Sequence, residues 1–155
     1  MRISAKADYA VRAAVTLAAL EEGRPIKAER LSGEQDIPLN FLENILNQLK
    51  AGGIVVSQRG PDGGFRLARD PSQISVADII RVVEGPLASV RGVRPHDLEF
   101  QGATEPLREV WVAVRANLRA VLDTVTLADV AQNQLPRNVT ELAADPAAWG
   151  EPGGG

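Results

Sequence analysis

Three asparagines and a glutamate, Asn40, Glu43, Asn44 and Asn47, share one side of any helix drawn through them at about 100° per residue. An asparagine amide can bond adenine N6 and N7 in a bidentate pair, and a glutamate can accept from cytosine N4. On the other side Leu42, Ile45, Leu46 and Leu49 recur at i, i+3, i+4 and i+7, the period of a helix with one buried face. Asparagine competes for backbone hydrogen bonds and weakens a helix, whereas a merely solvated face is usually built from Lys, Glu and Arg. The polar side is therefore either an idle surface or a set of base-reading groups. Downstream, Arg59 stands beside Gly60, with Gly63 and Gly64 just beyond. An arginine on so thin a backbone could reach a narrow, electronegative minor groove, or it is a solvated hairpin charge.

Other chemistries are poorly served. The 155 residues contain no cysteine, which removes disulfides, thiolate metal sites and thiol catalysis and fits a reducing cytoplasm. The lone His96, with Asp97, Glu99 and Glu105, offers a weak candidate for a hard or borderline metal beside the plainer reading of a solvated loop. RGPDGG (residues 59–64) lacks the Gly-Lys-Ser/Thr ending of a phosphate loop, and one histidine leaves general acid–base work without a partner. An enzyme is not expected. Net charge is −3, placed unevenly: residues 1–70 carry +1 and residues 71–155 carry −4, so a polyanion would meet the first half. The opening segment lacks the order of a signal peptide, and no run approaches the ~20 apolar residues of a membrane span; a cytoplasmic protein is expected.

The elements that must position these groups follow in order. A helix is predicted over residues 4–22, with Tyr9, Ala10, Ala13, Ala14, Leu17 and Leu20 inward and a stop at Gly23. A short second helix covers 26–35. The Asn-bearing helix starts near Pro38 and ends at Gly52-Gly53. Two β-prone runs, 54–58 and 65–69, flank the turn, with Ile54, Val56, Phe65 and Leu67 placed inward and Arg66 outward. Ser75 and Asp78 form a capping box for the next helix, which ends at Gly85. Residues 86–105 read as an irregular loop. From Pro106 to about Thr124 runs the longest helix, and Leu107, Trp111, Val114, Leu118, Val121 and Val125 step by 4, 3, 4, 3 and 4. That seam is either ordinary core or the face of a second copy. A short helix follows at 127–130, and residues 136–155 read as a disordered tail in which Trp149 is idle or a peptide-like contact.

Helix, short helix, turn, helix and hairpin is the order of a winged helix-turn-helix, whose second helix of the pair enters the major groove. The fold class predicted is thus mainly α with a small β-hairpin wing. Residues 1–85 make the DNA-binding domain, 86–105 a loop in sensor position, and 106–135 a dimerisation helix plus a short terminal helix. The chain also resembles the Rrf-two (IscR/NsrR/CymR-like) family of bacterial winged helix-turn-helix regulators. The carriers are MRISAKADYAVRA at the start, LENIL (42–46), SQRGPDGGFRLAR (57–69), IRVVEGP (80–86) and TLADV (126–130). The resemblance implies base-reading roles for Asn40, Glu43 and Asn44, with Asn47 on the same face, and a minor-groove role for Arg59. It implies DNA-backbone contacts from Ser4, Lys6 and Tyr9; Gly63, Gly64 and Arg66 of the hairpin are candidates for the same task. It also matches the helix from Pro106 to the one that crosses its counterpart in dimers. Iron–sulfur members carry cysteines in the loop before that helix, and this chain has none, so no cofactor is expected and a thiolate-held cluster is excluded by composition. Asp8 falls where some members place a carboxylate ligand, whereas Arg12 cannot ligate a metal.

The expected function is a dimeric, sequence-specific DNA-binding regulator, most simply a repressor of a partly palindromic operator. Its signal would be a small-molecule effector or a partner protein entering through the loop or the seam. The competing reading is a protein-interaction module whose main task is binding a partner enzyme.

Overall fold

Small side chains set the geometry of the first helix. α1 (Ala5–Ala18) buries Ala7, Ala10, Ala13, Ala14 and Leu17, and its alanines let the neighbouring helices approach closely. Ser4 caps it, the hydroxyl accepting from the Ala7 N–H at 3.0 Å. The computed structural model describes residues 2–150. α1 stops four residues before the expected limit, because the chain must turn back to bring Ile26 alongside the hairpin. Ile26 is buried and exchanges two backbone hydrogen bonds with Phe65, 2.9 and 2.7 Å long. That pairing delays α2 to Ala28–Gln35, later than the sequence suggests.

α2 ends with Asp36 in the left-handed region, and buried Ile37 leads into α3 (Leu39–Ala51). Leu42, Ile45, Leu46 and Leu49 are all buried. Past the end of α3, Gly53 adopts φ +75° and donates to the Lys50 carbonyl, while Ile54 donates to Leu49. This double closure ties off the orphan carbonyls of the last turn and drives the apolar Ile54 into the core.

The hairpin pairs β1 (Val55–Gln58) with β2 (Gly64–Leu67) in antiparallel register, Val55 opposite Leu67 and Ser57 opposite Phe65. Val55, not Val56, therefore shares the inward face with Phe65 and Leu67, correcting the expected alternation. The cause is Ile54: it belongs to the helix cap, so the pleat starts one residue later. Arg66 points outward beside Val56 as expected.

α4 (Val76–Glu84) carries the capping box in full, Ser75 and Asp78 each accepting from the other's backbone N–H. A second box, Thr126 with Asp129, heads α6 (Leu127–Ala131). The two starts lie side by side: Val76 donates to Val125 and Leu127 to Ile74, both at 2.9 Å. Val125 and Leu127 are thereby buried in the core of the first half. The unit expected to close at residue 85 thus borrows its last core residues from 125–127.

Between these lie residues 86–105 and α5 (Leu107–Leu122). The loop is more ordered than its composition suggests: Val90 and Val93 pair, short 3-10 turns occupy Pro95–Asp97 and Gly102–Thr104, and Leu87, Pro95 and Leu98 are buried. Where a disordered tail was expected, α7 runs from Arg137 to Ala144, followed by a 3-10 turn at Pro146–Ala148. Pro136 ahead of its first residue, an Arg137–Glu141 pair one turn apart and the Leu-Ala-Ala run favour helix there, and Asn138 Nδ2 latches it to the Ala120 carbonyl at 3.0 Å. The final residues of that expected tail, 151–155, lie outside the described part.

Candidate nucleic-acid interface

With its apolar side sunk in the core, α3 turns Asn40, Glu43, Asn44 and Asn47 outward, all four exposed. The core therefore fixes which face the helix presents, and the polar groups inherit a defined direction. Phe41, in the first turn of the same helix, is 60% exposed. Sequence reasoning passed over it because a single apolar residue beside a strong stripe carries no periodic signal.

The approach of α3 is set by a clamp the sequence did not reveal. Arg12 on α1 donates from Nη1 to the Gln35 carbonyl at 2.7 Å, its Nε lies 3.0 Å from Asp8, and its guanidinium sits 5.0 Å from the centre of the Tyr9 ring. Ser32 Oγ donates to the Ile37 carbonyl at 2.5 Å. The turn between α2 and α3 is thus held from both sides, to α1 and to its own preceding helix. Read from the sequence, Arg12 was only a residue that could not ligate a metal.

The hairpin completes the surface. Arg59 and Arg66 are exposed, and a groove lined by Lys27, Glu29, Glu43, Asn47, Gly64 and Phe65 joins the wing to α3. Gly64 has φ +143°, and a Cβ there would lie 2.3 Å from the Ile26 carbonyl oxygen, so the close pass of the chain excludes any side chain. Gly63 is buried and its N–H already donates to the Gly60 carbonyl at 3.0 Å. Its amide is spent inside the turn, so a phosphate contact from it does not fit this geometry; its role is to shape the tip. Of the three α1 candidates, Ser4, Lys6 and Tyr9 are half-buried, and the Ser4 hydroxyl is engaged as a cap and as a donor to Glu84 on α4.

α5 is the odd helix. None of its residues is fully buried although it carries Leu107, Val110, Trp111, Val112, Val114, Leu118 and Val121. Trp111, Val114 and Leu118 line a cleft of about 460 Å³ whose far wall includes Ile3, Ala7, Ile80 and Leu87; Val121 is half-buried and Leu107 exposed. Val125 leaves the seam: it lies beyond the end of α5 and is buried in its own chain's core, so it cannot face a partner. The lower end of α5 is moored to α4 by Asp123, which accepts from Arg81 at 2.7 and 3.0 Å and from Arg119 at 2.9 Å. The Arg81 bond, ahead of the weaker pull of Arg119, holds the Asp123 carboxyl at about 2 and raises Arg81 in turn.

Among the described residues no three His, Asp or Glu side chains converge as metal ligands, and no helix is long and apolar enough to cross a membrane. His96 meets a single carboxylate, Asp97, at 3.5 Å.

Comparison with known proteins adds the following. Residues 3–133 match the Rrf2 family model, described as an iron-dependent transcriptional regulator. Rv1287 of Mycobacterium tuberculosis (strain H37Rv), named as an HTH-type transcriptional regulator, is 49% identical over 145 residues, 94% of this chain and 90% of the relative. Among solved structures, CymR of Bacillus subtilis, titled the global cysteine regulator, superimposes with a TM-score of 0.73 at 32% identity, covering 86% of this chain and 98% of that one. IscR of T. potens gives 0.71 at 31% identity, covering 91% and 96%. The iron in the family's description finds no thiolate here, and the Asp8 carboxylate is engaged by Arg12. The residues present do not fit a cysteine-held iron–sulfur cluster.

Proposed function

The chain belongs to the Rrf2 family of DNA-binding, winged helix-turn-helix transcriptional regulators, and from that premise we propose that it acts as a cytoplasmic, homodimeric repressor without catalytic activity. Two copies read a partly palindromic operator, with half-sites about one helical turn apart. Asn40, Glu43, Asn44 and Asn47 read base edges in the major groove, and Arg59 enters the adjacent minor groove. Lys6, Tyr9, Gly64 and Arg66 meet the DNA backbone; Ser4 and Gly63 serve from behind, by capping α1 and shaping the wing tip. The single observation that carries this reading is the outward row of amide and carboxylate groups on a helix whose opposite face is fully buried.

Dimerisation rests on α5, which has apolar side chains on several sides and no fully buried residue. Leu107, Trp111, Val114, Leu118 and Val121 contribute to the contact. The regulatory signal is a small molecule or a partner protein acting without an iron–sulfur cluster. Arg59→Ala tests the wing: a gel-shift titration at fixed salt should show specific binding weakened by ~1–3 kcal/mol. Unchanged operator affinity would remove Arg59 from the reading head.

A further inference from the structure

We propose that Phe41 reads the 5-methyl group of a thymine in the operator, within the short A·T-containing step that Asn44 also addresses. The inference rests on α3 being the reading helix. Three observations lead to it. Phe41 is 60% exposed on α3, whose core-facing positions are already filled by Leu42, Ile45, Leu46 and Leu49, so the fold does not need its ring. A phenyl group brings no strong helix propensity to this position, whereas its ring carries a large apolar area to any surface that α3 meets. It follows Asn40 directly and lies about 60° around the helix from Asn44, at the N-terminal end that enters a major groove first.

The chemistry selects the target. A phenyl ring has no donor for a phosphate oxygen and no polar atom for a base edge. The thymine C5-methyl is the apolar feature that the major groove displays, and Phe is among the side chains suited to it. An asparagine that pairs with adenine also leaves thymine on the opposite strand of the same base pair. Asn44 and Phe41 together therefore suit a short A·T-containing step, one supplying hydrogen bonds and the other apolar contact.

The test uses the full-length protein and an operator selected by it from random DNA. Each thymine is replaced in turn by deoxyuridine, which deletes the methyl and keeps every hydrogen bond. For the unaltered protein, one thymine per half-site should show a loss of about fourfold, the equivalent of ~0.8 kcal/mol for one buried methyl-sized group. In Phe41→Ala the same replacement should cost less than about 1.5-fold, while placing 5-methylcytosine instead of cytosine at that position should restore part of the affinity to the unaltered protein only. Thermal melting of Phe41→Ala guards against a folding defect, which its exposure makes unexpected. Equal uracil costs in both proteins, or a uniform loss across all sequences in Phe41→Ala, would overturn the proposal. Failure of the unaltered protein to select any sequence would instead sink the reading face itself, so the two failures are distinguishable.

Discussion

α3 and α5 carry similar apolar stripes and have opposite fates. In α3 the stripe is sealed, with Leu42, Leu46 and Leu49 at 0% exposure and Ile45 at 1%, and the polar side is what remains to act. In α5 no side chain is fully buried, and Val110 and Val112 are 48% and 40% exposed. One helix is committed inward and offers chemistry outward; the other offers its apolar surface. The difference arises from neighbours. α3 is wrapped by α1, α2, α4 and the hairpin, whereas α5 meets its own chain chiefly at the 3-10 turn of residues 95–97 and at the Asp123 mooring. A shared helical period therefore does not tell a core helix from an interface helix; the surroundings decide.

The comparison can be broken at α5 with the largest expected effect. Leu118→Glu places a charge on the proposed contact and leaves the sealed stripe of α3 untouched. Sedimentation velocity should then show monomers, with a lower melting temperature because a partner no longer stabilises the folded chain. Operator affinity should fall by ~10²-fold or more, because two linked half-site readers act through effective concentration. A dimer that survives would show that the exposed stripe is not the contact.

A smaller effect sharpens the boundary between the two regions. Asp123 lies well below its ordinary value of 3.8, at about 2, chiefly through Arg81. A carboxylate whose folded value is depressed stabilises the fold above about 4 and loses that contribution as pH falls toward 2. Asp123→Asn should therefore lower stability at neutral pH by ~1 kcal/mol, since the pair is only partly shielded, and should flatten the acid limb of the stability curve between those two values. An acid limb identical to that of the unaltered protein would assign the mooring no energetic role.

Much of the reading head was legible because its signals are local. The stripe of α3, the Ser75 capping box and the turn chemistry of residues 59–64 all depend on residues near each other in the chain. What escaped depends on distance. Nothing in the sequence around Arg12 shows that it grips Gln35, and nothing near Thr126 shows that it lies beside Ser75. The alternation in β1 gives the wrong phase because Ile54 answers to the end of α3 rather than to the strand. Val125 kept the 4, 3 rhythm of the seam yet belongs to the core, since a helix that ends at Leu122 carries the rhythm no further. The Ala share and flanking Pro of residues 136–148 resemble an unstructured segment, and they mask the weak local helix signals that the latch to Ala120 reinforces.

The central claim is that two copies of this reading head engage DNA together, and selection of bound fragments from random DNA by the purified protein tests it most directly. The account predicts an enriched motif of two inverted half-sites spaced about one helical turn, ~10 base pairs centre to centre, lost in Leu118→Glu. Enrichment of a single unrepeated element, or the same paired motif from a protein that can no longer dimerise, would contradict it.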